Sequence, residues 1–105
     1  IRHDNGWAAD FKLKYNGRDL NGDNLSDRQL MAAFITAAVR FGIRGVGWDS
    51  PGYMGPLHIH MDPWGTTPQR GSGNLLVWGS GGRAANAVGW VRDAAARGLS
   101  GGLSV

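Results

Sequence analysis

Reactive chemistry in this chain falls to three histidines and eight acids, every acid an aspartate, because neither cysteine nor glutamate occurs. Two of the histidines stand in one short run, Leu57-His58-Ile59-His60-Met61-Asp62. Its alternation predicts a strand, in which successive side chains point to opposite faces. His58, His60 and Asp62 then share one face, and Leu57, Ile59 and Met61 the other. Two imidazoles and a carboxylate in a row suit metal chemistry. The third histidine opens the segment His3-Asp4-Asn5-Gly6-Trp7-Ala8-Ala9-Asp10. Zinc takes imidazole nitrogen and carboxylate oxygen in a tetrahedron, and a catalytic site keeps one position for water, so three protein ligands are wanted. His60 is one candidate, and His3 and Asp10 are the natural others if the two segments meet. Asp62 suits the part of a carboxylate that orients a histidine better than that of a ligand.

The elements that must position these groups can be read from period and punctuation. Residues 8–15 alternate apolar and polar, which predicts a strand with Phe11, Leu13 and Tyr15 on one face. Asn16-Gly17 predicts a tight hairpin, since both central positions of a type I′ turn need positive φ, and 18–20 return as its partner strand. A helix is expected over 25–41, with Ser26 as N-cap, Asp27 in the first turn and Gly42 as its stop. Leu30, Met31, Phe34, Ile35, Ala38 and Phe41 form its expected buried stripe. Residues 43–48 read as a glycine-punctuated strand, and 49–56 as a turn-rich loop leading into the histidine strand. A further short strand is expected over 74–78, and a second helix over 84–97 with Gly98 as its stop and a loose tail from Leu99. The fold class is therefore α+β: a small, mainly antiparallel sheet carrying the site, backed by one or two helices.

Composition narrows the function classes. A chain of 105 residues supports one domain, 1–105, and its abrupt opening at Ile1-Arg2-His3 predicts a domain within a longer chain. The net charge of +3 fits an anionic partner: nucleic acid, a membrane surface or the bacterial wall. The arginines are scattered rather than clustered, which argues against nucleic acid. No apolar stretch approaches the roughly 20 residues needed to span a bilayer. Two weaker motifs lead elsewhere. Residues 19–23 faintly resemble a calcium loop but put glycine in the wrong place. Gly79-Ser80-Gly81-Gly82 lacks the lysine and hydroxyl of a phosphate loop and reads as a link.

The spacing His-x-x-Gly-x-Ala-x-Asp, carried by His3, Gly6, Ala8 and Asp10, followed far downstream by His58-Ile59-His60, resembles the LAS metallopeptidases. That group takes in lysostaphin, the D-Ala-D-Ala metallopeptidases and the hedgehog signalling domain. The phrase from Gly45-Val46-Gly47 through Pro51-Gly52 to Asp62 resembles the closing motif of the D-alanyl-D-alanine carboxypeptidase branch, so the likeness covers the chain to about Gly65. It implies zinc held by His3, Asp10 and His60, with His58 polarising the attacking water or stabilising the oxyanion. Zinc then favours deprotonation of the water and polarises the scissile carbonyl, while a nearby base takes the proton and passes it to the leaving amine. Many carboxypeptidase members carry a catalytic acid three residues before the last ligand. Leu57 stands there, which favours a lysostaphin-like arrangement resting on His58, with Asp62 or Asp49 as helpers and Tyr53 as a possible oxyanion donor. The implied substrate is a peptide bond of bacterial peptidoglycan. The implied setting is the cell wall or periplasm, reached by a secreted, phage-encoded or delivered enzyme. Two rivals are a non-catalytic zinc or wall-binding module of the same fold, and a basic nucleic-acid-binding domain. Which bond is cut and the oligomeric state are not fixed by the sequence.

Overall fold

The computed structural model describes residues 8–50, 52, 54–67, 69 and 73–100. His3 and Tyr53 lie outside these residues, as does Trp7. Strand β1 (Ala9–Lys12) breaks at Leu13, and β2 (Lys14–Tyr15) pairs antiparallel with β3 (Arg18–Asp19). The turn between them is the expected one: Asn16 and Gly17 take φ of 52° and 78°. The single strand expected over 8–15 is thus two strands serving two sheets. The second sheet is only this hairpin, tied by Lys14 Nζ donating to Asp19 Oδ1 at 2.8 Å. Asp19 is thereby committed to lysine. Asn21 Oδ1 accepts the Asp23 N–H at 2.8 Å, so the stretch that faintly resembles a calcium loop is an ordinary Asx turn.

The main sheet runs β1-β5-β4-β6, with β4 (Gly45–Gly47), β5 (His58–Asp62) and β6 (Leu76–Trp78). β1 and β4 both pair antiparallel with β5, while β6 lies parallel to β4. The sheet is therefore mixed within the expected α+β class. Helices α1 (Leu25–Arg40) and α2 (Gly89–Ser100) pack against each other and cover one face of the sheet. The core joins Val46, Ile59 and Met61 from the strands to Met31, Ile35 and Val39 of α1 and Val91, Ala94 and Ala95 of α2. Ile59 and Met61 are the inward set that the alternation predicts, leaving the even-numbered residues of β5 on the other face.

The helices depart from expectation in detail. α1 is capped by Asn24, whose Oδ1 accepts the Asp27 N–H at 3.0 Å, and Ser26 lies exposed in the first turn. Its buried line is Asp27, Met31, Ile35 and Val39; Leu30, Phe34 and Phe41 are exposed, Phe41 by 88%. Gly42 ends the helix at φ 121°, as expected. α2 starts five residues late, after a 3₁₀ turn over Ala84–Asn86, and continues through Leu99 to Ser100. Gly98 does not stop it. Gly98 is buried in the helix against α1, where a Cβ would meet Thr36 O and come within 2.8 Å of Val39 Cβ. Thr36 Oγ1 donates to Ala94 O at 2.7 Å across the same seam. Among the described residues no helix is long and apolar enough to cross a membrane.

Candidate functional site

Strand pairing sets Asp10 of β1 directly opposite His60 of β5, and His60 opposite Gly47 of β4, which in turn faces Trp78 of β6. Directly paired residues share a face. One row therefore crosses the sheet away from the helices: Asp10, His60, an empty glycine position, and Trp78. His60 Nδ1 lies 3.0 Å from Asp10 Oδ1, although fifty residues separate the two in the chain. Asp10, at the described end of the first segment singled out in the sequence, thus meets the histidine strand.

The imidazole is held from its other end as well. His60 Nε2 lies 2.8 Å from Asp62 Oδ2, and Asp62 is 1% exposed. The remaining oxygen of Asp62, Oδ1, accepts the N–H groups of Trp64 and Gly65, each at 2.9 Å. A carboxylate gripped by two backbone donors cannot turn, so Asp62 acts as an anchor that fixes the His60 ring. Room for the anchor comes from Gly45, the residue paired with Asp62, because any Cβ there would collide with the Asp62 carboxylate. Likewise a Cβ on Gly47 would run into the Trp78 indole. That gap lets Trp78 lean across β4 until its ring lies 5.3 Å from the His60 ring, tilted by 47°. The glycine-punctuated strand is thus a floor swept clear for two side chains.

His58 lies on the same face by alternation and is half-buried. Its Nδ1 lies 3.1 Å from the Met54 carbonyl oxygen, which can only accept, so Nδ1 is the donor there. Two residues of strand place it roughly 7 Å from His60 along the chain. Asp49 is buried at the start of the loop that follows β4, with the Gly52 and Gly55 N–H groups donating to its backbone carbonyl. Trp48 and Trp64, which neighbour the site in sequence, are 2% and 6% exposed and serve packing. Trp48 also spends its indole N–H on Pro56 O at 3.0 Å.

Trp78 is the residue at the site that sequence reasoning missed. Its signal was the pairing of a glycine with a tryptophan across two strands, which appears only once the register is known. Among the described residues no three His or Asp side chains are gathered to hold one ion. Asp10 and His60 offer a pair of donors, and the third expected ligand, His3, lies outside the described residues. No family model matches the chain, and no curated protein or solved structure matches it significantly.

Proposed function

We propose that the protein is a zinc-dependent peptidase that hydrolyses a peptide bond in the stem peptides or cross-links of bacterial peptidoglycan. The observation that carries this reading is the Asp10–His60–Asp62 chain. Asp62, acceptor-only and gripped by two backbone N–H groups, draws the His60 proton to Nε2. On the other side Asp10 Oδ1 lies 3.0 Å from Nδ1, the atom through which a neutral imidazole would ligate. A cation taken up between Nδ1 and the Asp10 carboxylate would replace the hydrogen bond that joins them. Two zinc ligands at about 2.0–2.2 Å on tetrahedral corners stand roughly 3.3–3.6 Å apart, so the 3.0 Å pair has only to open by a few tenths of an ångström to take the ion. A carboxylate behind a ligating imidazole is also the usual device that fixes its tautomer and raises its basicity. The donor set therefore fits zinc, with Asp10 and His60 as ligands and His3 as the third by resemblance.

When bound, the ion supplies electrostatic polarisation of the scissile carbonyl and of the attacking water. The chain's own groups do the rest. His58, its Nδ1–H committed to the Met54 carbonyl, offers Nε2 to accept a proton and return it to the departing amine. Leu57 has no such capacity, so the proton traffic falls to His58. Asp62 holds His60 in register, and the Trp78 ring stands 5.3 Å from it. Tyr53 enters the reading as an oxyanion donor only through its place in the sequence before the histidine strand, and lies outside the described residues. The net positive charge favours the anionic wall as the setting.

A second reading is favoured by one specific feature: both His60 nitrogens are engaged by carboxylates, a clamp that is complete without turnover. It describes a zinc- or wall-binding module of the same fold. One experiment separates the two. Zinc-loaded protein is incubated with purified peptidoglycan, with and without chelator, and the soluble fragments are weighed by mass spectrometry. Chelator-sensitive release, abolished by His58→Ala with zinc retained, is expected of the peptidase. Wall binding without release overturns it in favour of the module.

A further inference from the structure

Beyond the hydrolase site, on the far side of the sheet, α1 and α2 leave an open cavity of about 630 Å³ along their seam. Its lining includes Ala32, Ala33 and Ala37 together with Arg28, Arg40 and Arg97 against the single acid Asp93. Three guanidinium groups against one carboxylate leave two positive charges in excess. Arg28 and Arg40 lie twelve residues apart on one helix, roughly 18 Å along its axis. Arg28 is pinned, its Nε donating to Gly22 O at 2.6 Å and its guanidinium 5.9 Å above the Trp90 ring. Arg40 and Arg97 are exposed and make no ion pair among the described residues. Trp90, in the same wall, buries an indole N–H that has no hydrogen-bond partner.

We infer that this groove docks an acidic peptide segment that bears apolar side chains between its carboxylates. Guanidinium forks bind carboxylates in two-point fashion, and cationic groups at both ends of the groove match carboxylates spaced along an extended strand. The lining alanines and the Trp90 indole call for carbon surface in between. A uniformly charged polymer leaves that surface bare and also meets Asp93. These residues are separate from Asp10, His58 and His60, so the inference stands whether or not the chain is a peptidase.

The test is fluorescence anisotropy of a labelled peptide of alternating glutamate and leucine, titrated with the intact protein. Saturable binding is expected, weakened about tenfold or more by the double variant R40E/R97E. It should be unchanged by R83E, an equal reversal per site at an exposed arginine outside the groove. Ala33→Trp, which fills the groove without altering charge, should block the same binding. Thermal melts by circular dichroism confirm that each variant is folded. The inference is overturned if the wild type does not bind, if R83E weakens binding as much per charge, or if Ala33→Trp binds normally. Inorganic polyphosphate that binds with the same arginine dependence while the peptide does not would reassign the groove to phosphate polymers.

Discussion

Asp62→Asn is the perturbation that most directly tests why His60 points as it does. The Asp62 Oδ1 atom accepts two backbone N–H groups at 2.9 Å, and both can be kept only if the new side chain puts its carbonyl oxygen there. The amide nitrogen then occupies the place of Oδ2, 2.8 Å from His60 Nε2, and presents protons where the carboxylate presented lone pairs. Two donors cannot share that distance, so His60 must move its proton to Nδ1, where it points at Asp10 Oδ1 at 3.0 Å. A protonated Nδ1 cannot ligate. The expected loss of zinc affinity is that of a ligand deprived of its orienting partner, about 10- to 100-fold, or roughly 1.4–2.7 kcal/mol. The fold should survive, because two charge-assisted hydrogen bonds become neutral ones and a third is re-formed in the reverse sense, a cost of about 1–3 kcal/mol. Zinc affinity is read by competition with a chelating dye, and the His60 tautomer by long-range nitrogen–proton correlation NMR. A switched tautomer with undiminished zinc affinity would refute the assignment of Nδ1 as a ligand atom.

Three further outcomes are expected. The Asp27 carboxyl is held at about 2, against an ordinary 3.8, chiefly by the Arg18 guanidinium and then by the Asn21 N–H. Its depressed value means that its contribution to stability is fully present above about pH 4 and is lost as pH falls toward 2. Melting temperature should drop through that window in the wild type, whereas D27N starts lower at neutral pH and stays flat there. Gly47→Ala drives a methyl into the Trp78 ring and should destabilise by about 1–3 kcal/mol in urea titration, relieved by adding Trp78→Ala. Loss of the α1 cap in Asn24→Ala should cost about 1 kcal/mol by the same assay, while Ser26→Ala stays within about 0.5 kcal/mol.

The sequence was most informative where one short period controls the outcome. The β5 alternation put Ile59 and Met61 in the core and His60 and Asp62 on the opposite face, because a strand has only two sides. Asn16-Gly17 was legible because few other dipeptides accept its turn. The helix face was less so. Apolar residues occupy adjacent pairs at 30–31, 34–35 and 38–39, and a 3.6-residue period does not say which member of each pair leads. Packing chose Met31, Ile35 and Val39 and turned Phe34 to its edge contact with Phe11, 5.8 Å between ring centroids. The N-cap was readable in principle. Asn24 stands three residues before Asp27, the spacing at which a capping side chain reaches the third helical N–H. The parallel placement of β6 was not readable, since a three-residue strand carries no mark of its direction.

The apposition of Asp10 and His60 has a consequence for how the site comes into being. Among the described residues β1 is an edge strand that pairs in the main sheet with β5 alone, and its pairing closes a loop of about fifty residues, whereas β4 and β5 are joined by a short local connection. Closing long loops is entropically slower than forming local pairs, so β1 is expected among the last elements to dock. Until it does, His60 faces no carboxylate across the sheet. The site is in effect a latch, its two halves borne by different stages of assembly. Any cation that bridges them gains affinity only for the closed strand, so occupancy should slow hydrogen exchange along Ala9–Lys12 far more than along Gly45–Gly47. Completion of the candidate site and closure of the sheet become one event, and an unfinished fold carries only half of it.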